Sequence, residues 1–293
     1  MTRLQRTIRH EVTFSGVGVH TGRPATVRLR PAPADSGIAF YRTDKDMLIR
    51  ANLHAVTETS FCTTIGTGQV HIRTVEHLLA AAAGLGVDNL FVDIDGPEVP
   101  ILDGSALGIV SSLLDAGIAR QGRVMPHIRI TQPLIYEDSH ARVSVVPYEG
   151  RRMTYRIDFS NGLLGHQELR LELNERSFTE EVAPARTFGF LKDVEMLKAN
   201  GLARGGSLAN AIVIGDEGVL NPTGLRYRDE FVRHKMLDAV GDFSLIGMPI
   251  IGHITLEKSG HKANTNFLKR LLAAPETYTV VTDFNHAATI AAI

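Results

Sequence analysis

Two periods alternate along the chain. Ala25-Thr26-Val27-Arg28-Leu29-Arg30 switches between apolar and polar at every residue and stops at Pro31-Ala32-Pro33, which predicts a half-buried strand. After a turn at Asp35-Ser36-Gly37, Ile38 to Arg42 resumes an extended pattern, and Val70-His71-Ile72 and Leu90 to Ile94 predict further strands. Between them the period lengthens. Val75 to about Ala83 reads as a helix with Thr74 as its cap and Gly84 or Gly86 as its stop, and Ala106 to Asp115 as a second helix capped by Ser105.

The pattern lapses around Gln121 to Pro126, which predicts a boundary between an N-terminal domain, 1–122, and a C-terminal domain, 127–293. The second part begins as the first did. Ala141 to Val146 stops at Pro147, and Met153 to Phe159 follows. A strand ended by Pro, a turn and a strand carrying Tyr-Arg thus occurs once in each half. This weak repeat predicts two similar α+β domains, each layering a sheet and helices. Gly189 to Asn200 reads as part helical, Gly201 to Gly206 as a turn, Ala211 to Ile214 and Ile250 to Leu256 as strands. Ser259-Gly260-His261 reads as a turn before a closing helix, Asn264 to Ala273.

The most informative segment is the helix expected from about Asp229 to Leu245. His234, Asp238 and Asp242 fall four apart and share one face, opposite Val232, Met236, Ala239, Val240 and Phe243. The apolar stripe predicts burial of one side, with an imidazole and two carboxylates aimed outward. A His and an Asp one turn apart suit one divalent metal; the same spacing also suits an ordinary wet helix face.

Composition narrows the chemistry. Of 293 residues, 44% are hydrophobic and 22% charged, with a net charge of −1 and no block of like charges. This balance fits a globular protein and predicts neither broad nucleic-acid binding nor polybasic membrane binding. No run approaches the ~20 apolar residues of a transmembrane segment, and the N-terminus lacks a signal-peptide core, so a cytoplasmic location is expected. The single cysteine, Cys62, excludes a disulfide within the chain and a multi-cysteine zinc site. Metal ligands must then come from Asp, Glu and the 12 histidines.

Glu76-His77 at a helix start has the logic of zinc peptidase helices, where a Glu beside a ligand acts as base. The second His of that motif is missing, since position 81 is Ala. A surface helix start, with Glu favoured by the dipole, is the plainer alternative. His261 suits proton transfer if its turn reaches a cleft. Thr187 could offer a hydroxyl to an oxyanion, Asp242 could orient a histidine, and Lys235 and Lys258 could meet phosphates.

Taken together, Gly16 to Gly22, Thr74-Val75-Glu76-His77, Ile101 to Ala106, Ala185 to Phe190, His234-Lys235-Met236-Leu237-Asp238 and Lys258-Ser259-Gly260-His261 resemble one family. It is the UDP-3-O-acyl-N-acetylglucosamine deacetylases, zinc amidases of bacterial lipid A (lipopolysaccharide) synthesis. The matches run in order from residue 16 to 273. The resemblance implies His77, His234 and Asp238 as ligands of one Zn2+ per chain, a set that would also take Fe(II) or Co(II). It implies Glu76 as general base, His261 as general acid oriented by Asp242, and Thr187 sharing the oxyanion.

It further implies a UDP-linked acylated glucosamine as substrate, with Lys235, Lys258, Phe188 and Gly206 among its contacts, and His20 near the phosphates. An acyl chain would run along Phe190, Leu191, Val194, Met196, Leu197, Leu208, Ile212 and Val213, with Gly205 and Gly206 allowing close backbone approach. Cys62 would line the cleft without ligating metal. The active site should lie between the two halves, and a monomer is expected. Another metal hydrolase, or a binding module that has lost its chemistry, are the competing readings. The last twenty residues match nothing in the family, and the apolar tail Ala287 to Ile293 is open between a disordered end, a packed strand and a protease recognition tail.

Overall fold

The computed structural model describes residues 3–159 and 164–282; the tail 287–293 lies outside the described residues. Each half builds its sheet in the same way. In the first, the strand Pro24–Pro31 pairs antiparallel with Leu90–Ile94, which pairs parallel with Ile38–Arg42. In the second, Arg142–Val146 pairs antiparallel with Ile250–Glu257, which pairs parallel with Arg151–Phe159. In both, a strand from late in the half enters between two earlier ones that are close in sequence. The repeat of strand, Pro and turn is therefore the outline of a shared topology.

The helices repeat too. Glu76–Gly84 precedes the inserted strand of the first half and Leu107–Asp115 follows it. Glu230–Ser244 and His261–Leu272 occupy the same places in the second. This is the two-domain α+β architecture expected. Val12–Val17 and Met47–Arg50 complete a five-stranded sheet in the first half. Leu134–Glu137, Gly165–Glu172, His127–Ile130 and Tyr278–Val281 bring the second to seven strands.

The equivalent helices Glu76–Gly84 and Glu230–Ser244 pack against each other. Eight of the nine residues of the shorter helix are buried, the run Ala80 to Ala82 among them. At Gly241 the long helix comes so near that an added Cβ would collide with the Glu76 carbonyl oxygen. A glycine at that point lets the two backbones approach where a larger residue would hold them apart.

Three expectations need correction. The polar face of the long helix is not aimed outward: twelve of its fifteen residues are buried, Asp242 completely. Its polar side meets His77 of the short helix at Asp238, and Thr63, His261 and Asn264 at Asp242, while its apolar side enters the core. Thr74 does not cap the short helix. It sits at φ +56°, and its hydroxyl donates to Glu98 Oε1 at 2.9 Å, while Val75 takes the cap position. Finally, residues 121–124 are not a lapse in pattern. They belong to the strand Ile118–Val124, which pairs antiparallel with Leu4–Ile8. We propose that the domains divide between 122 and 127, at the end of this strand.

Candidate active site

The helix pair brings together three residues that the sequence keeps 157 or more positions apart or one turn apart. His77, on the first turn of the short helix, lies with Nε2 3.6 Å from Asp238 Oδ1. His234, one turn before Asp238, has Nε2 3.3 Å from the same oxygen. The two imidazole rings meet edge to face at 5.0 Å between centroids. All three are buried, and their ligand atoms lie within 4.8 Å of one another.

This donor set fits a divalent cation. His234 Nδ1 sits 3.1 Å from the carbonyl oxygen of Ala185. A carbonyl only accepts, so Nδ1 carries the proton and the Nε2 lone pair points at the triad. Burial drives the His234 pKa down to about 4, keeping it neutral as ligation requires. Burial alone would raise the Asp238 carboxyl, but His234 and Lys235 outweigh it and hold the group well below the usual range. Two imidazole nitrogens and one carboxylate oxygen, bordering the cavity on one side, suit a three-ligand site for a divalent metal.

Beside the triad stand a carboxylate and an imidazole. Glu76 Oε2 accepts from the Thr63 backbone N–H at 3.0 Å, and its Oε1 lies 4.0 Å from His261 Nε2. Burial pushes the Glu76 carboxyl up to about 7. His261 opens the helix His261–Leu272 rather than ending a loop. Its Nδ1 donates to Asp242 Oδ2 at 2.9 Å. Burial and the helix N-terminus disfavour an imidazolium there. Asp242 outweighs the burial, with help from Glu76, and lifts the His261 pKa to about 9.

Several supports carry no signal in the local sequence pattern. The Thr63 hydroxyl donates to Asp242 Oδ1 at 2.6 Å while its N–H holds Glu76, so one residue fixes both sides of the pair. Asn264 Nδ2 also donates to Asp242, at 2.8 Å. Arg186 and Glu230 form a buried ion pair, 2.8 Å from Nε to Oε1, which pins the segment carrying Ala185 and Thr187 to the start of the long helix. Glu98, 1% exposed, accepts from the Thr74 and Thr21 hydroxyls and from the His20 and Thr21 N–H groups. It ties the turn at Gly18 to Gly22 to the entry of the short helix. The proximity of Arg186 to its motif was visible; its partner Glu230 was not.

The site opens into a cavity of about 420 Å³. Its polar end carries His20, Thr187, Glu76, His77, His234, Asp238 and His261, and Phe188 and Gly206 also line it. Its apolar end is formed by the helix Leu191–Ala199 and the parallel strand pair Phe188–Phe190 and Ile212–Ile214. Of the residues expected there, Phe190, Leu191, Val194, Leu197, Leu208 and Val213 line the wall. Met196 is exposed and Ile212 is buried in the core behind it. Gly205 does not face the cavity; it packs against the Gly18 carbonyl, where a side chain would collide.

Three other expected contacts lie elsewhere. Lys258 is on the outer surface, with Nζ 2.9 Å from Asp158. Lys235 is partly buried and donates to Asp238 Oδ2 at 2.9 Å, away from the cavity wall. Cys62 is 1% exposed rather than in the cleft, and burial beside Glu76 pushes its thiol up to about 12.

A triad able to hold a metal, a carboxylate facing an imidazole, and an apolar passage define a class: hydrolytic enzymes that act on a substrate with a long apolar portion. Residues 5–273 match the model of the UDP-3-O-acyl N-acetylglycosamine deacetylase family, and the chain belongs to that family. A UDP-3-O-acyl-N-acetylglucosamine deacetylase of Thermodesulfovibrio yellowstonii is 48% identical over 92% of this chain and 91% of its own. Relatives of the same name from Geobacter sp. (strain M21) and Bdellovibrio bacteriovorus are each 46% identical, over 94% of this chain and 92% of theirs. No described helix is long and apolar enough to cross a membrane.

Proposed function

We propose that this protein hydrolyses the N-acetyl amide of a UDP-linked, 3-O-acylated N-acetylglucosamine, releasing acetate and the free amine, as a step of lipid A biosynthesis in the cytoplasm. The observation that carries this reading is the Glu76–His261 pair beside the His77, His234 and Asp238 triad, at the mouth of an apolar passage. Family membership supplies the substrate class.

An acetamide is a weak electrophile, and its amine departs only when protonated. Zn2+ held by His77, His234 and Asp238 would acidify water and polarise the carbonyl, and Fe2+ would suit the same donors. Glu76, with a pKa near neutrality, takes a proton from the attacking water. Thr187 offers its hydroxyl to the carbonyl oxygen as that oxygen turns anionic. His261, kept protonated by Asp242, gives its proton to the amine nitrogen as the C–N bond breaks. Attack and departure are thus served by separate groups on opposite helices. Phe188 and Gly206 belong to the substrate's walls, and the acyl chain lies between Phe190, Leu197 and Val213. Lys235 steadies Asp238 and meets the nucleotide sugar only by turning from Asp238 toward the cavity; Lys258 reaches the diphosphate only if its bond to Asp158 opens. The protein acts as a monomer, each chain holding a full set of groups.

The test is acetate release by purified protein from the UDP-linked N-acetylglucosamine with and without the 3-O-acyl group. Turnover should depend strongly on the acyl group; equal turnover of both would point to a different amide substrate.

A further inference from the structure

A second cavity, of about 130 Å³, lies toward the C-terminal ends of the same two helices. Leu79 and Ala83 of the short helix and Val240 and Phe243 of the long helix form its apolar walls. Four charged side chains reach it, and three of them are neutralised. Arg3 and Asp88 pair at 2.6 Å, and Arg152 pairs with Glu172 at 2.5 Å. Arg151 is the exception. Among the described residues its guanidinium forms no ion pair within 4.0 Å and no side-chain hydrogen bond.

Arg151 is half-buried and is not among the fully buried polar groups left without a partner, so its guanidinium keeps some contact with water and stays free to receive a ligand. Burial and the neighbouring Arg3 push it down to about 10, and Asp88, already shared with Arg3, compensates only in part. The group that complements a free guanidinium is an anion. Guanidinium matches carboxylate in a two-pronged geometry, and the surrounding walls are aliphatic and aromatic. A cavity of this volume is about that known to enclose a six-carbon ring.

We propose that this cavity binds a small amphiphilic carboxylate of about six carbons, its head on Arg151 and its chain against Leu79, Val240 and Phe243. The site touches both halves of the protein and both helices that carry the triad, yet shares no residue with the catalytic cavity. It stands independently of the deacetylase reading.

Three methionines, Met125, Met153 and Met248, line this cavity and none lines the catalytic one, so their methyl groups report on it selectively. The full chain, labelled at methionine methyls, would be titrated with hexanoate and followed by NMR. Saturable shifts of these three methyls are expected. Arg151→Gln should weaken binding at least tenfold, and hexanol should bind at least tenfold more weakly than hexanoate, with deacetylation unchanged in the variant. Equal affinity in Arg151→Gln, or equal response to hexanol, overturns the proposal. In unmodified crystals soaked with 6-bromohexanoate, a bromine peak beside Phe243 supports it, and a peak confined to the cavity bearing Phe190 and Leu197 overturns it.

Discussion

Glu76 Oε1 and His261 Nε2 face each other at 4.0 Å, each borne on the first turn of a different helix. Their surroundings push them toward complementary protonation. Burial brings the carboxyl up to about 7, where it can still accept a proton. Asp242 overcomes the burial of the imidazole and brings it up to about 9, where it keeps a proton to give. A base and an acid separated in this way give a bell-shaped dependence of rate on pH.

Asp242→Asn should move the alkaline limb of that profile. Without the carboxylate, burial is left to act on His261, and its pKa falls toward or below the ordinary value. The limb should shift to lower pH, and turnover at pH 8 should drop about tenfold to a hundredfold. Profiles of kcat against pH for both proteins check this. An unmoved limb would remove His261 from the role of acid.

The same contact has a consequence for stability. His261 has a folded pKa above its ordinary 6.5, so the stability it contributes is complete below 6.5 and is lost as pH rises through about 9. On metal-free protein, the unfolding free-energy gap between wild type and Asp242→Asn should narrow across that window. Denaturant titrations at a series of pH values measure it.

Glu76→Gln should retain metal and lose turnover by about 10²–10⁴-fold. Glu76 is held by Thr63 N–H beside the triad and is not one of its three donors. Metal content measured alongside acetate release separates the roles; loss of metal would make Glu76 a ligand.

Gly241→Ala tests the helix contact that assembles the site. The new Cβ meets the Glu76 carbonyl oxygen, which is backbone and cannot swing aside. The helices must part, at a cost of about 1–3 kcal/mol, and metal affinity should fall with the displacement of His77 from Asp238. Denaturation midpoints and a metal titration together check both effects.

Much of this site was legible because its chemistry repeats at helical spacing. His234, Asp238 and Asp242 share a face that periodicity reveals directly, and Glu76-His77 carries its own motif. The doubled topology was visible as two strands, each stopped by Pro. The supports were harder to see. Thr63 reaches Asp242 across 179 positions, and Glu230 reaches Arg186 across 44, so neither leaves a local trace. The strand Ile118–Val124 was missed for the same reason, since its pairing partner is Leu4–Ile8 at the other end of the half. Burial of the polar helix face was also hidden. A hydrophobic pattern shows which side enters the core, but not that His77, Thr63, His261 and Asn264 close over the other side.

The proposed reaction requires that His77, His234 and Asp238 together hold one catalytic metal. Its most direct test is anomalous scattering from crystals of the purified protein, at the absorption edges of zinc and iron. A single strong peak bonded to His77 Nε2, His234 Nε2 and an Asp238 oxygen is expected. That peak and acetate release should vanish together in the triple His77→Ala, His234→Ala, Asp238→Ala variant. A triple variant that keeps a tightly bound metal and still deacetylates would contradict it.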